Sequence, residues 1–141
     1  MQIRQACPDD VPKMCECDVY ASTNPSRARF ITTAVEKRLC TVAVDAGHVL
    51  GYVLLTHDFF EHGFISLVVV SPAHRRKGIG LRLIAAAEAA CNTTKLFSSA
   101  NQSNHASQQL LLRAGFQRSG VVENLDDDDP ELIYIKFLGL D

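Results

Sequence analysis

Val68-Val69-Val70-Ser71-Pro72-Ala73-His74-Arg75-Arg76-Lys77-Gly78-Ile79-Gly80-Leu81 decides the architecture of this chain. The apolar run begins at Phe64 and does not alternate with polar residues, so it reads as a strand covered on both faces. Ser71-Pro72 ends it. A basic loop follows and opens a helix from about Gly80 to Cys91. The first turn of a helix has unpaired N–H groups and the positive end of the macrodipole, and a phosphate fits there. Gly78 and Gly80 carry no Cβ, which lets a bulky pyrophosphate approach the backbone. Arg75, Arg76 and Lys77 add positive charge, and arginine can hold phosphate oxygens with two donors at once. A dinucleotide fingerprint would need a third glycine where Leu83 stands, and a phosphate-binding P-loop would need a Gly-Lys-Ser/Thr ending. A solvated basic loop whose glycines serve a turn is the remaining alternative.

Upstream, Met1 to Ala6 is a strand. Asp9 or Asp10 caps a helix to about Tyr20, with Val11, Met14 and Val19 as its apolar contacts. Ser26 caps a second helix, Arg27 to Arg38, with Phe30, Ile31, Ala34 and Val35 on one face. Leu39 to Val44, the turn Asp45-Ala46-Gly47, and His48 to Thr56 form a hairpin. His57 to His62 is a polar-aromatic connection to Phe64–Val70. Downstream, Lys95 to Ala100 is a strand and Asn104 to Ala114 a helix. Asn104 caps the start of that helix, and Gly115 takes the left-handed conformation past its end, with Phe116 packing back on Leu111. Phe116 to Val122 and Glu131 to Leu138 are the last strands.

The order β-α-α-β-β-β-α-β-α-β-β predicts an α/β fold. It has a mixed, largely antiparallel twisted sheet, a central parallel strand pair and helices on both faces. The 141 residues suit a single domain over 1–141. With 47% hydrophobic residues and a formal charge of −2, the chain is not disordered and has no global reason to bind nucleic acid. No apolar run reaches the roughly 20 residues of a membrane helix, and the N-terminus does not read as a secretory signal. Five cysteines without framework spacing point to free thiols and a cytoplasmic location. Cys15-x-Cys17 has no second ligand pair, so no metal site is expected.

Arg75-x-x-Gly78-x-Gly80, after its valine strand, resembles the acetyl-CoA signature of the GNAT superfamily of N-acetyltransferases. Asn104-His105-Ala106-Ser107 running to Arg113-Ala114-Gly115-Phe116 is similar to that family's later motif, an Asn-started helix ending in Gly-Phe. Element order, length and motif separation fit as well, so the likeness covers nearly the whole chain. It implies acetyl-CoA as donor and an amine-bearing acceptor that attacks the thioester directly in a ternary complex. It implies pyrophosphate on the backbone N–H groups of Arg76, Lys77, Gly78, Ile79, Gly80 and Leu81, beside Arg75. The pantetheine arm would lie along Val68-Val69-Val70, pairing with the backbone of Val68 and Val70, in a gap before Lys95–Ala100. Asn101 and Asn104 would bond the arm, and Asn104 is equally a plain helix cap.

The chemistry needs a neutral amine, an oxyanion donor and often an acid for the thiolate. By analogy the Val68 N–H is the oxyanion donor. Many family members place Tyr four residues before the Gly of Gly-Phe, where this chain has Leu111. Ser107, as acid or water holder, and Tyr134, as a more distant acid, are the substitutes. Glu61 is the candidate base, with His57 and His62 beside it; solvated loop residues are the plainer reading. Ser66 is the one polar residue within the strand core. Asp126-Asp127-Asp128-Asp129 is a solvated acidic turn or an attractor of a cationic amine. Glu131–Leu138, taken as an exposed strand, offers an edge for a homodimer. A non-catalytic acyl-CoA-binding module is the alternative function.

Overall fold

A computed structural model describes residues 1–139. The strands are β1 (Gln2–Gln5), β2 (Cys40–Asp45), β3 (His48–Phe59), β4 (His62–Val70), β5 (Lys95–Asn101), β6 (Gln117–Val122) and β7 (Glu131–Phe137). The helices are α1 (Val11–Cys17), α2 (Pro25–Glu36), α3 (Ile79–Ala90) and α4 (His105–Arg113). All strands join one sheet in the order β1-β2-β3-β4-β5-β7-β6. Every pairing is antiparallel except β4 with β5. The expected mixed sheet with one parallel pair is the observed one.

Two apolar layers sandwich the sheet. On one face Ile79, Leu83 and Ile84 of α3 and Leu111 of α4 pack on Val53, Ile65, Leu96, Leu132 and Tyr134. On the other, Met14 and Cys17 of α1 and Ile31, Ala34 and Val35 of α2 pack on Val42, Tyr52 and Leu54. All five cysteines are free thiols, and burial pushes those of Cys17 and Cys40 up to about 12.

Several boundaries differ from the sequence reading. The first helix stops at Cys17, and Val19 is exposed rather than packed. The cause is Asp18, whose buried carboxylate accepts from Tyr52 Oη (2.7 Å), Arg27 (2.8 Å) and the Tyr20 N–H (3.1 Å). Asp10 does not cap α1 with its side chain; it binds the Arg4 guanidinium and the Cys7 N–H. The Arg4 hydrogen bonds hold its carboxyl at about 2. The second helix starts at Pro25, whose fixed φ suits a first helical position, so Ser26 lies inside it and Phe30 is exposed.

His57 to His62 is not a loop. Strand β3 runs on to Phe59, and Phe60 and Glu61 turn the chain tightly with φ of 51° and 68°. Phe59 drives the extension by stacking on Phe64 (4.8 Å between ring centroids) and meeting Phe97 (4.9 Å). Strand β7 is interior, between β5 and β6, so the outer strand at that side is β6 and the dimer edge expected on Glu131–Leu138 is taken by β6. Nothing in the chain forms a helix long and apolar enough to cross a membrane among the described residues.

Candidate active site

Strands β4 and β5 pair only through Gly63–Leu96, Phe64–Phe97 and Ile65–Ser98. Beyond that rung β5 continues beside β7 and β4 continues beside β3, so the two part. Ser98, buried, donates its hydroxyl to the Ile65 carbonyl at 2.9 Å, where the ladder ends. Ser66 is the next residue on β4 and is a bulge: Leu54 pairs with Leu67 and Leu55 with Ile65, leaving Ser66 no partner on β3. The extra residue switches the pleat. Before it Ile65 faces α3; after it Val68 and Val70 do, while Leu67 and Val69 face α1 and α2.

The bulge also aims the backbone. The Ser71 N–H donates to the Leu50 carbonyl at 2.8 Å, so that residue pair is hydrogen-bonded across β3–β4. Alternation along an antiparallel ladder then turns the N–H and C=O groups of Val70 and Val68 away from β3, into the gap. Val69, paired with Tyr52, turns its groups to β3 instead, so of the three valines it alone has no backbone to offer. The gap-side carbonyl of Val70 accepts from Arg75 Nε at 3.4 Å.

The gap leads to the start of α3. Gly78 is its N-cap at φ 77°, exposed and with no side chain capping the helix. The first intrahelical bond runs from Arg82 N–H to the Gly78 carbonyl at 3.1 Å, so the N–H groups of Ile79, Gly80 and Leu81 precede the helical ladder. Arg76 also adopts a positive φ, 63°, and Arg75, Arg76 and Lys77 are all exposed around this end. Such alternation of left-handed residues with a helix start gathers N–H groups into an anion-binding concavity. Gly80 has a different reason from the one expected. It is buried, and a Cβ there would meet Leu110 of α4 at 3.0 Å; it lets α3 approach α4 and brings its amide, rather than open space, to the site.

Other expected residues separate. The Asn101 side-chain amide donates to Asp126 Oδ2 (2.8 Å) and the Asp129 carbonyl (3.4 Å). Asn104 Oδ1 accepts from the Ser107 N–H at 3.1 Å, the helix cap read from sequence, and Ser107 is half-buried in that first turn. The acidic run is partly structural: Asp129 takes the Ser103 hydroxyl at 2.6 Å, while Asp127 and Asp128 are exposed. Tyr134 is buried beside Ser98 in the α3–α4 layer with Leu111, and Arg118 lies 6.0 Å from its ring.

Glu61 is exposed in the hairpin turn at the opposite end of β4. Seven residues of strand separate it from Val68, roughly 23 Å at 3.3 Å per residue, too far for one water to bridge. His57 accepts the Asn92 N–H on Nε2 at 3.1 Å, tying the α3–β5 loop to the same end. His62 lies there too, its ring 5.9 Å from Phe97. The sequence reading missed the Asp18–Tyr52–Arg27 network, the Ser66 bulge and Ser98; the one available signal was Ser66 itself, a lone polar residue in an apolar strand.

A family model described as the acetyltransferase (GNAT) family matches residues 9–116. The chain belongs to the GNAT acetyltransferase family. A GNAT-family acetyltransferase from Bacillus cereus is 32% identical, with 99% of this chain and 98% of that one covered and a TM-score of 0.91. At lower identity the fold persists. Salmonella typhimurium yncA, a putative acetyltransferase solved with acetyl-CoA, is 19% identical, covers 99% and 95% of the two chains and has a TM-score of 0.78. Naa20 from Chaetomium thermophilum, solved with a bisubstrate analogue, is 23% identical over 98% and 87%, with a TM-score of 0.81. Among curated proteins the search finds no relative. Membership in the GNAT family implies acetyl transfer from acetyl-CoA. The residues present fit that donor on two counts: a helix start without a side-chain cap, and strand amides at Val68 and Val70 that β5 leaves unpaired.

Proposed function

We propose that this GNAT member acetylates a primary amine, the amine attacking the thioester directly while both substrates are bound. The observation that carries the reading is the parting of β4 from β5 at Ile65–Ser98, in line with the exposed, uncapped start of α3. The N–H groups of Gly78, Ile79, Gly80 and Leu81, with Arg75, Arg76 and Lys77 around them, hold the pyrophosphate. The Val68 and Val70 backbone groups pair with the amides of the pantetheine arm, as a strand edge pairs with an extended peptide. Acetyl-CoA supplies the acyl group as a thioester. The Val68 N–H is the donor aimed at the oxygen on which charge develops. A CoA thiolate is a tolerable leaving group, so a water near the half-buried Ser107 suffices as proton source.

Release of CoA thiol from acetyl-CoA, measured across alkylamines, polyamines, amino sugars and peptides, with mass detection of acetylated product, tests this. Thiol release that depends on an amine supports it; CoA binding with no product from any acceptor overturns it. One observation favours a second reading, a non-catalytic acyl-CoA-binding module. Leu111 stands at the position of the family's usual tyrosine acid and is fully committed to the core.

A further inference from the structure

We propose that Glu131, on β7, takes the proton of the acceptor amine; the inference rests on the amine-acetylation reading. The parallel ladder ends at Ile65–Ser98. With Ser66 as an extra residue, Val68 lies two rungs beyond Ile65 on β4, about level with Ala100 on β5, and Asn101 is the next residue of that strand. Asn101 pairs with Glu131 across β5–β7. Glu131 is therefore one strand spacing, about 4.8 Å, beyond the far wall of the gap and about one residue, ~3.3 Å, past the height of the open Val68 amide.

The pleat decides the face. Leu132 and Tyr134 of β7 and Leu96 and Ala100 of β5 point into the α3–α4 layer. The alternate residues, Glu131 and Ile133 of β7 and Phe97, Ser99 and Asn101 of β5, share the opposite face. There α1 and α2 pack on β2 and β3 and reach Leu67 and Val69 of β4. Phe97, Ser99, Asn101, Glu131 and Ile133 are all only half-buried, which leaves this half of the face open to an acceptor. The Asn101 amide is drawn aside to the β6–β7 loop, so it does not block the carboxylate.

The surroundings suit a proton acceptor. Glu131 faces Asn101 on β5 and Val122 on β6, with Ile133 along its own strand and Asp126 to Asp129 in the adjoining loop. No ion pair among the described residues includes it. Acidic neighbours draw a protonated amine, and the carboxylate then removes one proton from its nitrogen. The freed lone pair forms the C–N bond to the thioester carbonyl carbon, the C–S bond breaks with its electron pair leaving on sulfur, and the nitrogen sheds its second proton to that thiolate or to water.

The test compares wild type with Glu131→Gln and Glu131→Asp on two acceptors, a strongly basic alkylamine that wild type turns over and a weakly basic hydrazide. General-base loss costs about 10²–10⁴-fold. Glu131→Gln is expected to lower kcat/KM for the alkylamine by at least ~100-fold and for the hydrazide by less than ~10-fold, since the latter arrives unprotonated. Glu131→Asp should retain part of the rate. CoA affinity by calorimetry should change less than about twofold, and the Glu131 carboxyl carbon should shift in NMR when alkylamine is added to the CoA complex. Equal losses for both amines, an unchanged rate in Glu131→Gln, or an unmoved carboxyl signal overturns the role of Glu131 while leaving amine acetylation in place. A wild type that releases thiol with no amine removes both.

Discussion

The two ends of β4 are built from the same apolar strand and serve opposite purposes. At its N-terminal end the strand is closed on both sides. Gly63 and Phe64 pair with β5, the Gly63 N–H donates to Thr93 Oγ1 at 2.9 Å, and His57 ties down Asn92. A Cβ on Gly63 would run into the Cys91 sulfur, so even the small side chain is prescribed there. At its C-terminal end one neighbour has gone. Val68 and Val70 keep β3 on one side and face a gap on the other, and the chain leaves through a helix start that no side chain caps. The difference teaches that the site proposed above is made by withholding a strand. Backbone groups that a sheet would normally consume are left for a ligand, and the packing that holds them in place lies at the other end.

The sharpest way to break the comparison is proline. Val68→Pro deletes an amide that faces the gap and that β3 does not use. A single oxyanion donor contributes about 10²–10³-fold, so kcat/KM should fall by that order while β3–β4 pairing survives. Val69→Pro deletes an amide spent on β3 and should instead cost a ladder hydrogen bond, about 1–3 kcal/mol of stability in denaturant titration. If the two variants behave alike, the alternation assigned to the bulge is wrong. Next in size, Gly80→Val drives a side chain into Leu110 and should cost about 1–3 kcal/mol, with CoA affinity by calorimetry weakened roughly tenfold as α3 shifts. An unchanged affinity would separate the helix start from the site.

Asp10→Asn touches neither end and calibrates both. The Asp10 carboxyl sits at about 2 because of Arg4, below its ordinary 3.8. A lowered folded-state value stabilises above the unfolded value and is lost as pH falls from about 4 through 2. Allowing for the partly exposed Arg4, the loss is about 1–2 kcal/mol, absent in the asparagine variant, and unfolding followed from pH 6 to 2 measures it. The smallest effect is expected from His57→Ala: about 0.5–1 kcal/mol of stability from the lost hydrogen bond to the Asn92 N–H, and less than a twofold change in kcat/KM. A large kinetic loss there would return the closed end to the chemistry.

Local signals were legible where a feature is settled within a few residues. Helix α4 shows this at both termini: Asn104 caps it, Gly115 follows at φ 96°, and the Phe116 N–H closes on the Leu111 carbonyl at 3.0 Å. The anion loop belongs to the same class, because a strand, a breaker and two glycines before a helix are neighbours in the chain. Helix α1 was misjudged because its end is fixed by Tyr52 and Arg27, distant in sequence. The His57–His62 hairpin was misjudged because Phe59 finds Phe64 and Phe97 only once β5 is in place.

The sequence by itself determined the order of elements, the glycine-marked helix start and the resemblance that led to the donor. Those follow from periodicity, capping and backbone conformation, which act over one or two turns of chain. Only the tertiary structure decided which amides of β4 face open space, why Gly80 must be small, and that Glu131, not Glu61, lies at the Val68 end of β4. Each of those depends on strand register and on which neighbour is missing, and a pairing between residues far apart in the chain leaves no mark on either one alone.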